Sequence, residues 1–163
     1  MDKLPLLPVD TTHLWRIVPD GYEPAALLYS DHYSAYQYAD RRRSQWGYRN
    51  RFLIVGPGEK MVLMTPHDDA LFVWRKFIDA SGQDGVNCAV FRNCSQWKSS
   101  ELIRQACDLA WWRWPDERLY TYVNDGAIKS TNPGYCFLMA DWQRLKKRTA
   151  IKHLRILERL PRG

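Results

Sequence analysis

Long apolar runs are missing from this 163-residue chain. No stretch approaches the roughly 18 to 20 apolar residues that a membrane-spanning helix needs. Residues 1–5 contain too few apolar side chains and too much proline for a secretory signal peptide. Internal repeats and low-complexity segments are also absent. These absences predict a single-domain protein that is cytoplasmic and has no membrane partner.

Closely spaced cysteines are missing as well. Of the four cysteines, no two form a Cys-x-x-Cys pair. Zinc sites normally need such pairs or a compact group of cysteine and histidine. We therefore predict no metal site, and we expect free, mostly buried and reduced cysteines, as in a cytosolic protein. Their positions are Cys88, Cys94, Cys107 and Cys136.

The common catalytic and nucleotide-binding motifs are absent too. The chain contains no Gly-x-Gly-x-x-Gly, no Walker loop, no Gly-x-Ser-x-Gly and no His-Glu-x-x-His. These absences exclude the standard dinucleotide-binding, P-loop, α/β-hydrolase and zinc-protease templates. Any enzymatic activity must therefore rest on another arrangement of residues.

Basic residues, in contrast, are concentrated in two segments. From position 141 to 163, eight basic and two acidic residues give a surplus of six, which equals the net charge of the whole chain. Residues 41–51 contain five arginines, interleaved aromatics and no acid. Arginine alternating with aromatic side chains suits a polyanion with stackable bases, so we predict nucleic-acid binding there; the alternative is a solvated basic surface. The predicted contacts are Arg41, Arg42, Arg43, Trp46, Tyr48, Arg49 and Arg51.

Hydrophobic periodicity and turn residues define the predicted secondary structure. The first predicted helix is 24–38, with Ala25, Ala26, Leu27 and Leu28 on its apolar face. The second is a long helix that is capped by serine at Ser99 and stopped by Pro115, and the third is 132–140. The predicted strands are 13–19, 52–55, 60–65, 70–77, 86–93, 118–123, 142–149 and 153–160. This order predicts an α/β (α+β) fold with a central mixed, mostly antiparallel sheet flanked by helices.

The segment at 131–142 follows a predicted strand with an Asn132-Pro133-Gly134 turn, a short apolar helix and a closing aromatic, Trp142. This pattern resembles the GNAT superfamily of acyltransferases near its C-terminus and, more closely, the phage DNA-modifying proteins of the Mom type. The resemblance implies a GNAT-like domain over residues 13–163, preceded by an irregular arm at 1–12. It also implies an acetyl-CoA or other acyl-CoA donor, and DNA or another nucleic acid as the acceptor.

The loop between the strand at 86–93 and the long helix is the predicted donor site. A helix N-terminus offers free N–H groups and partial positive charge, which suit a phosphate. In GNAT enzymes this joint holds the pyrophosphate of acetyl-CoA, usually on a glycine-containing loop, and here serines and basic residues replace the glycines. The alternative is an ordinary capped helix. The predicted donor-binding residues are Arg92, Ser95, Gln96, Lys98, Ser99 and Ser100.

Two groups of residues are predicted to carry the transfer step. Many GNAT enzymes place a proton-donating Tyr five residues before the closing aromatic, but this chain has Phe137 there. Tyr135 and Cys136 are nearest to that position, and Ser130 and Asn132 are polar groups in the same turn. We predict Asn132 and Tyr135 as catalytic; the alternative is a packed Phe137 and a half-exposed Tyr135. The second group is His32-Tyr33-Ser34, which follows Asp31 and has a similar stretch in Mom-type proteins. These residues could orient or deprotonate an amine.

The leading hypothesis is a phage-type acyltransferase that modifies a nucleic-acid base or a modified-base amine. One rival is a non-catalytic nucleic-acid-binding or host-interaction protein on the same scaffold. A second rival is an N-acyltransferase that acts on a protein or a small amine. Binding of acetyl-CoA would separate an enzyme from a binding module, and salt-dependent DNA binding would separate the second rival from the others.

Overall fold

The computed structural model describes residues 14–30, 52–78, 82–125 and 134–161. These residues form one seven-stranded sheet with helices on both faces. The elements in chain order are β1 (Arg16–Val18), α1 (Glu23–Ser30), β2 (Glu59–Met64), β3 (Ala70–Lys76), β4 (Val86–Asn93), α2 (Ser99–Arg113), β5 (Leu119–Val123), α3 (Tyr135–Leu138), β6 (Gln143–Arg148) and β7 (Arg155–Arg159).

The strands lie side by side in the order β1-β2-β3-β4-β5-β7-β6. Every neighbouring pair is antiparallel except β4 and β5, which run parallel because the helix α2 carries the chain back between them. The predicted mixed, mostly antiparallel sheet is therefore confirmed, and β2 and β3 form a hairpin. No helix in the described ranges is long and apolar enough to cross a bilayer.

The parallel strands β4 and β5 are paired over only a short part of their length. Only three residue pairs join β4 to β5, from Val86↔Leu119 to Cys88↔Thr121. Residues 89–93 of β4 therefore continue along β3 on one side and have no paired residue of β5 on the other. Among the described residues, the sheet thus contains a gap at the carboxyl ends of its two parallel strands, where one edge of β4 has no paired strand.

An irregularity in β4 changes which way its side chains point. Val73 of β3 pairs with Val90, whereas the next residue, Trp74, pairs with Cys88, so Ala89 is an extra residue. Such a bulge reverses the alternation of all later side chains. Cys88 accordingly packs in the cluster on the α2 face, and Val90 packs in the cluster on the α1 face.

The two faces of the sheet have different cores. The α1 face is covered mainly by aliphatic and small side chains, with Ala25 and Ala26 buried under the helix. The α2 face is aromatic and holds Trp15, Phe72 and Trp74. Two indoles attach α2 to the sheet, because the Trp15 Nε1 donates to the Leu102 carbonyl and the Trp74 Nε1 to the Ala106 carbonyl, both at 2.8 Å. Fully buried aromatics contribute much of the burial energy of a small domain.

Two predictions about the first half of the chain are wrong. Residues 52–55 do not form a strand, because the backbone N–H groups of Ile54 and Val55 donate to the Asp20 carboxylate at 2.8 and 3.3 Å rather than to a neighbouring strand. Leu27 is not on the buried face of α1, where it is 60% exposed; Tyr29 is buried in that helix instead.

The later elements agree closely with their predicted bounds. The predicted strand at 86–93 coincides with β4, and the predicted final pair of strands is the antiparallel hairpin of β6 and β7. The short helix α3 covers Tyr135–Leu138 and ends before the predicted position 140, since Met139 and Ala140 already belong to a turn. Residues 132 and 133 of the predicted helix lie outside the described residues. The predicted arm at 1–12 lies outside the described residues.

Candidate functional site

The gap between β4 and β5 is bordered by α2 and α3. The loop 94–98 leads directly from the end of β4 into the amino end of α2. On the other side, the Phe137 ring of α3 meets the Phe91 ring of β4 edge-on, with centroids 6.0 Å apart. Gly134, the residue directly before α3, lies against the end of β5. A Cβ atom placed on Gly134 would be 3.6 Å from Cγ2 of Val123. An unpaired strand edge, a helix N-terminus and a short helix therefore meet at one place.

Gly134 allows α3 to pack this closely. Its φ of 81° lies in the left-handed region that side chains rarely adopt. A Cβ at this position would also lie only 3.2 Å from Cδ2 of Leu157 in β7. The glycine of the predicted turn is therefore required by its backbone conformation and by the close approach of α3 to the sheet.

Asn93 organises the loop 94–98, a role that the sequence analysis did not assign. Its Oδ1 accepts hydrogen bonds from the backbone N–H and the hydroxyl of Ser95. Its Nδ2 donates to the Trp97 carbonyl at 2.7 Å and to the Ser99 hydroxyl at 2.9 Å. An Asn followed two residues later by Ser is a common turn pattern, and this pattern is the feature of the sequence that could have predicted the role of Asn93.

The predicted serine cap of α2 is wrong. The residue in the capping position is Lys98, and no side chain caps the helix. The Ser99 hydroxyl is already occupied by Asn93, and Ser99 is the first residue of the helix itself. The backbone N–H groups of Ser99 and Ser100 donate to no acceptor among the described residues. These open donors and the helix dipole make the amino end of α2 suitable for an anion.

The Ser100 hydroxyl is a second unsatisfied group at this end of the helix. It is only 3% exposed and has no hydrogen-bond partner among the described residues. A buried hydroxyl without a partner destabilises the folded state by roughly 1 to 3 kcal/mol. Gln96 and Lys98, in contrast, are exposed on the loop. The serines and Lys98 of the predicted donor site are thus brought together.

Arg92 is not brought to the same place. It pairs with Leu71 of β3, whose side chain belongs to the α1 face. Its Nη1 reaches the Leu28 carbonyl of α1 at 3.5 Å, and its Nε lies 3.2 Å from the Cys94 sulfur. The bulge at Ala89 is the reason, because it turns Arg92 away from the face on which α2 lies.

The predicted transfer residues in α3 have different environments. Phe137 is 6% exposed and packs between Phe91 and Trp142, whose ring centroid is 4.9 Å away. Tyr135 is 54% exposed. The alternative in which Phe137 is packed and Tyr135 is about half-exposed therefore agrees with the structure. Burial raises the pKa of the neighbouring Cys136 thiol.

The cysteines also differ in their surroundings. Cys88 and Cys107 are buried, Cys136 is partly buried, and Cys94 is exposed in the loop before α2. Burial raises the pKa of Cys88 well above its usual value and that of Cys107 to about 11. The expectation of mostly buried thiols agrees with the structure, in which Cys94 is the exposed one of the four.

The other predicted site residues lie outside the described residues. These are His32, Tyr33, Ser34 and Asn132 of the predicted transfer site and Arg41, Arg42, Arg43, Trp46, Tyr48, Arg49 and Arg51 of the predicted nucleic-acid contact.

A basic surface is nevertheless present in the described part of the chain. Arg144, Lys146 and Lys147 are exposed on β6, which is the edge strand of the sheet. Arg148 of the same strand donates two hydrogen bonds to Asp125, at 2.7 and 2.9 Å, and these lower the pKa of that carboxyl. Part of the basic C-terminal segment is thus ion-paired, and part faces solvent.

Within the four described ranges, no three His, Cys, Asp or Glu side chains are grouped as a metal site would require. Comparison of the chain with known protein families, curated proteins and solved structures gives no match. The function must therefore be inferred from the residues and their geometry.

Proposed function

We propose that this protein is a GNAT-like N-acyltransferase that takes its acyl group from a CoA thioester and transfers it to an amine on a nucleic-acid base. The observation that carries this proposal is the gap between β4 and β5, with the uncapped amino end of α2 beside it. The element order is the one that the resemblance to GNAT enzymes implies.

The chemical groups around this gap suit an acyl-CoA donor. The unpaired edge of β4 at 89–93 offers backbone donors and acceptors to an extended, amide-containing chain such as pantetheine. The open N–H groups of Ser99 and Ser100 would receive a phosphate, and the exposed Lys98 adds positive charge. The unpartnered Ser100 hydroxyl is a further group that a bound donor could satisfy.

The transfer step would take place beside α3. A bound acyl-CoA supplies an activated carbonyl carbon; the amine nitrogen forms a bond to that carbon, and the carbon–sulfur bond breaks. We assign Tyr135 to proton donation to the departing thiolate, because it has the only hydroxyl group on α3 and is exposed. Phe137, which has no proton to donate, would shape the wall of the gap.

A polyanionic acceptor is supported by the charge of the hairpin of β6 and β7. Lys146 and Lys147 are exposed on the edge strand and have no acidic partner among the described residues. Exposed cations in a row can contact successive phosphates without reading the base sequence. The predicted contacts at 41–51 would add arginines and the stacking surface of Trp46.

The decisive experiment measures donor binding first and the product second. Acetyl-CoA at about one hundred times its Kd should stabilise the native state by about 2.7 kcal/mol, which raises the Tm of a domain of this size by about 5 to 10 °C. Mass spectrometry of nucleosides, after incubation of DNA with protein and acetyl-CoA, should then reveal an acylated base. An unchanged Tm at millimolar acetyl-CoA would rule out this donor.

A non-catalytic nucleic-acid-binding protein is the second candidate, and one observation favours it. Phe137 occupies the place of the usual proton donor and is buried against Phe91 and Trp142. In that case DNA should bind with the usual salt dependence, while acetyl-CoA should leave the Tm unchanged and no modified nucleoside should form.

A further inference from the structure

A cavity of about 590 Å³ lies beside α2, and none of its lining residues belongs to β4, β5 or the loop 94–98. Its walls come from α2, the turn after α2, the turn before β6 and the end of β7. A smaller cavity of about 260 Å³ shares Asp141 and Arg159 with it. The charged and aromatic lining residues of the larger cavity are Arg104, Asp108, Trp111, Asp116, Asp141 and Arg159.

Arg159 is the most buried charged residue of this lining. It is the last residue of β7, is 9% exposed and borders both cavities. Its guanidinium carbon lies 5.0 Å from the centroid of the Trp111 ring. No carboxylate among the described residues is within ion-pairing distance of it. A buried cation without a counterion is unfavourable, and an anion that enters the cavity would remove that cost.

The remaining polar neighbour does not neutralise Arg159. Arg159 contacts the Cys107 thiol, and burial raises the pKa of that thiol to about 11 although the nearby guanidinium acts in the opposite direction. The thiol is therefore uncharged near neutral pH. The positive charge of Arg159 remains available to a ligand.

Carboxylates line the same cavity closer to solvent. Asp108 and Asp116 are exposed and have no ion pair with any residue in the described ranges. Asp141 lies 3.9 Å from Arg104, and Arg104 is further bound to Glu101 and to the Met139 carbonyl. Arg104 is thus already ion-paired, whereas Arg159, Asp108 and Asp116 have no ion pair among the described residues.

We propose that this cavity binds a small zwitterion with the chemistry of a free α-amino acid. The carboxylate of the ligand pairs with Arg159, its ammonium group pairs with Asp108 and Asp116, and its side chain lies along the Trp111 ring. The exposed carboxylates would repel a phosphate-rich polyanion, and they would gain nothing from a simple monoanion. This site is independent of the proposed acyl transfer.

The test uses small probes and the intact protein. L-leucine, L-glutamate and L-lysine share the zwitterionic head and differ in the tail, while acetate and methylammonium carry one charge each. Titrations followed by the Trp111 indole resonance, identified with a Trp111→Phe variant, should show saturable binding of at least one amino acid. Acetate and methylammonium should bind at least about tenfold more weakly, because each makes only half of the charge-assisted contacts.

Two sets of variants locate the contacts. Arg159→Met keeps the packing on Trp111 and should abolish amino-acid binding while the Tm is kept or raised, because an uncompensated buried charge is removed. Asp108→Asn with Asp116→Asn changes only exposed side chains, so folding should be unaffected. That double variant should lose the preference for the amino acid over acetate.

Absence of saturable binding by all three amino acids would overturn the proposal. It would equally be overturned if acetate bound as tightly as the best amino acid, or if the Asp108→Asn, Asp116→Asn protein kept its full preference for the amino acid. None of these outcomes depends on whether acetyl-CoA binds at the other end of α2.

Discussion

The two ends of α2 form polar sites in different ways. At the amino end the donors without an acceptor among the described residues belong to the backbone, because Asn93 and Ser95 use their side chains to order the loop. Along the second half the charges belong to side chains from several elements, above all Arg159 and the carboxylates near it. A backbone site should survive most substitutions that keep the helix, whereas a side-chain site should be lost with a single residue.

Both sites depend on the same anchoring of α2. Trp15 and Trp74 bind consecutive turns of the helix through its carbonyl groups. Trp74 is fully buried and stacks on Trp142, with the ring planes 9° apart and the centroids 6.3 Å apart. A change at this anchor should affect the two ends together.

The largest expected effect comes from Trp74→Ala. Loss of a fully buried indole and of its hydrogen bond to the Ala106 carbonyl should lower the free energy of unfolding by about 3 to 5 kcal/mol. Urea denaturation measures this loss, and Trp97→Ala, which removes an indole that is 41% exposed, is the matched control with an expected change of about 0.5 kcal/mol or less. Similar losses in the two variants would contradict the role of Trp74 as the anchor.

Cysteine alkylation compares the two ends of α2 directly. At pH 8 a thiol with a pKa of about 11 is about one part in a thousand thiolate, so buried Cys107 should react with iodoacetamide at least about a hundredfold more slowly than exposed Cys94. The reactivity of Cys107 should rise as the pH approaches 11. Peptide mass spectrometry gives both rates.

In guanidinium chloride the two thiols should react equally fast, because unfolding removes the burial that separates them. Bound acetyl-CoA should protect Cys94 and leave Cys107 unchanged if the donor lies at the amino end. Equal rates in the native protein would show that α2 opens at its second half.

The pair Ser99→Pro and Ser99→Ala tests the backbone site. Both changes remove the hydroxyl that accepts from Asn93, but only proline removes the N–H group, and the first position of a helix tolerates proline. Acetyl-CoA should bind Ser99→Pro about tenfold more weakly than Ser99→Ala, which corresponds to about 1.4 kcal/mol. Isothermal titration measures both constants, and equal values would mean that this N–H does not contact the donor.

The smallest expected effect concerns DNA. Replacing Lys146 and Lys147 by Ala should reduce the slope of log K against log salt by about 0.9 for each duplex phosphate that the protein no longer neutralises. Asp108→Asn with Asp116→Asn, at the cavity beside α2, should leave the slope unchanged. Fluorescence anisotropy at several salt concentrations measures the slope. If the aspartate variant changed the slope and the lysine variant did not, the DNA would bind at the cavity and not along β6.

Local patterns predicted most elements well, and the failures have specific causes. The bounds of β4 and the hairpin of β6 and β7 agree with the sequence patterns, since alternation and turn residues act within a few positions. The strand expected at 52–55 is missing because Asp20, more than thirty positions away, takes its backbone donors. A serine cap was expected at Ser99, but a hydrogen bond from Asn93 uses that hydroxyl.

The sequence by itself determined the order of most elements and the excess of basic charge toward the C-terminus. Only the tertiary structure decided that the bulge at Ala89 turns Arg92 to the α1 face, and that Arg159 is buried against Trp111 rather than solvated with the other basic residues. The physical reason is range. Periodicity and turn chemistry depend on near neighbours, whereas strand pairing and the burial of a charge depend on residues that only the complete fold brings together.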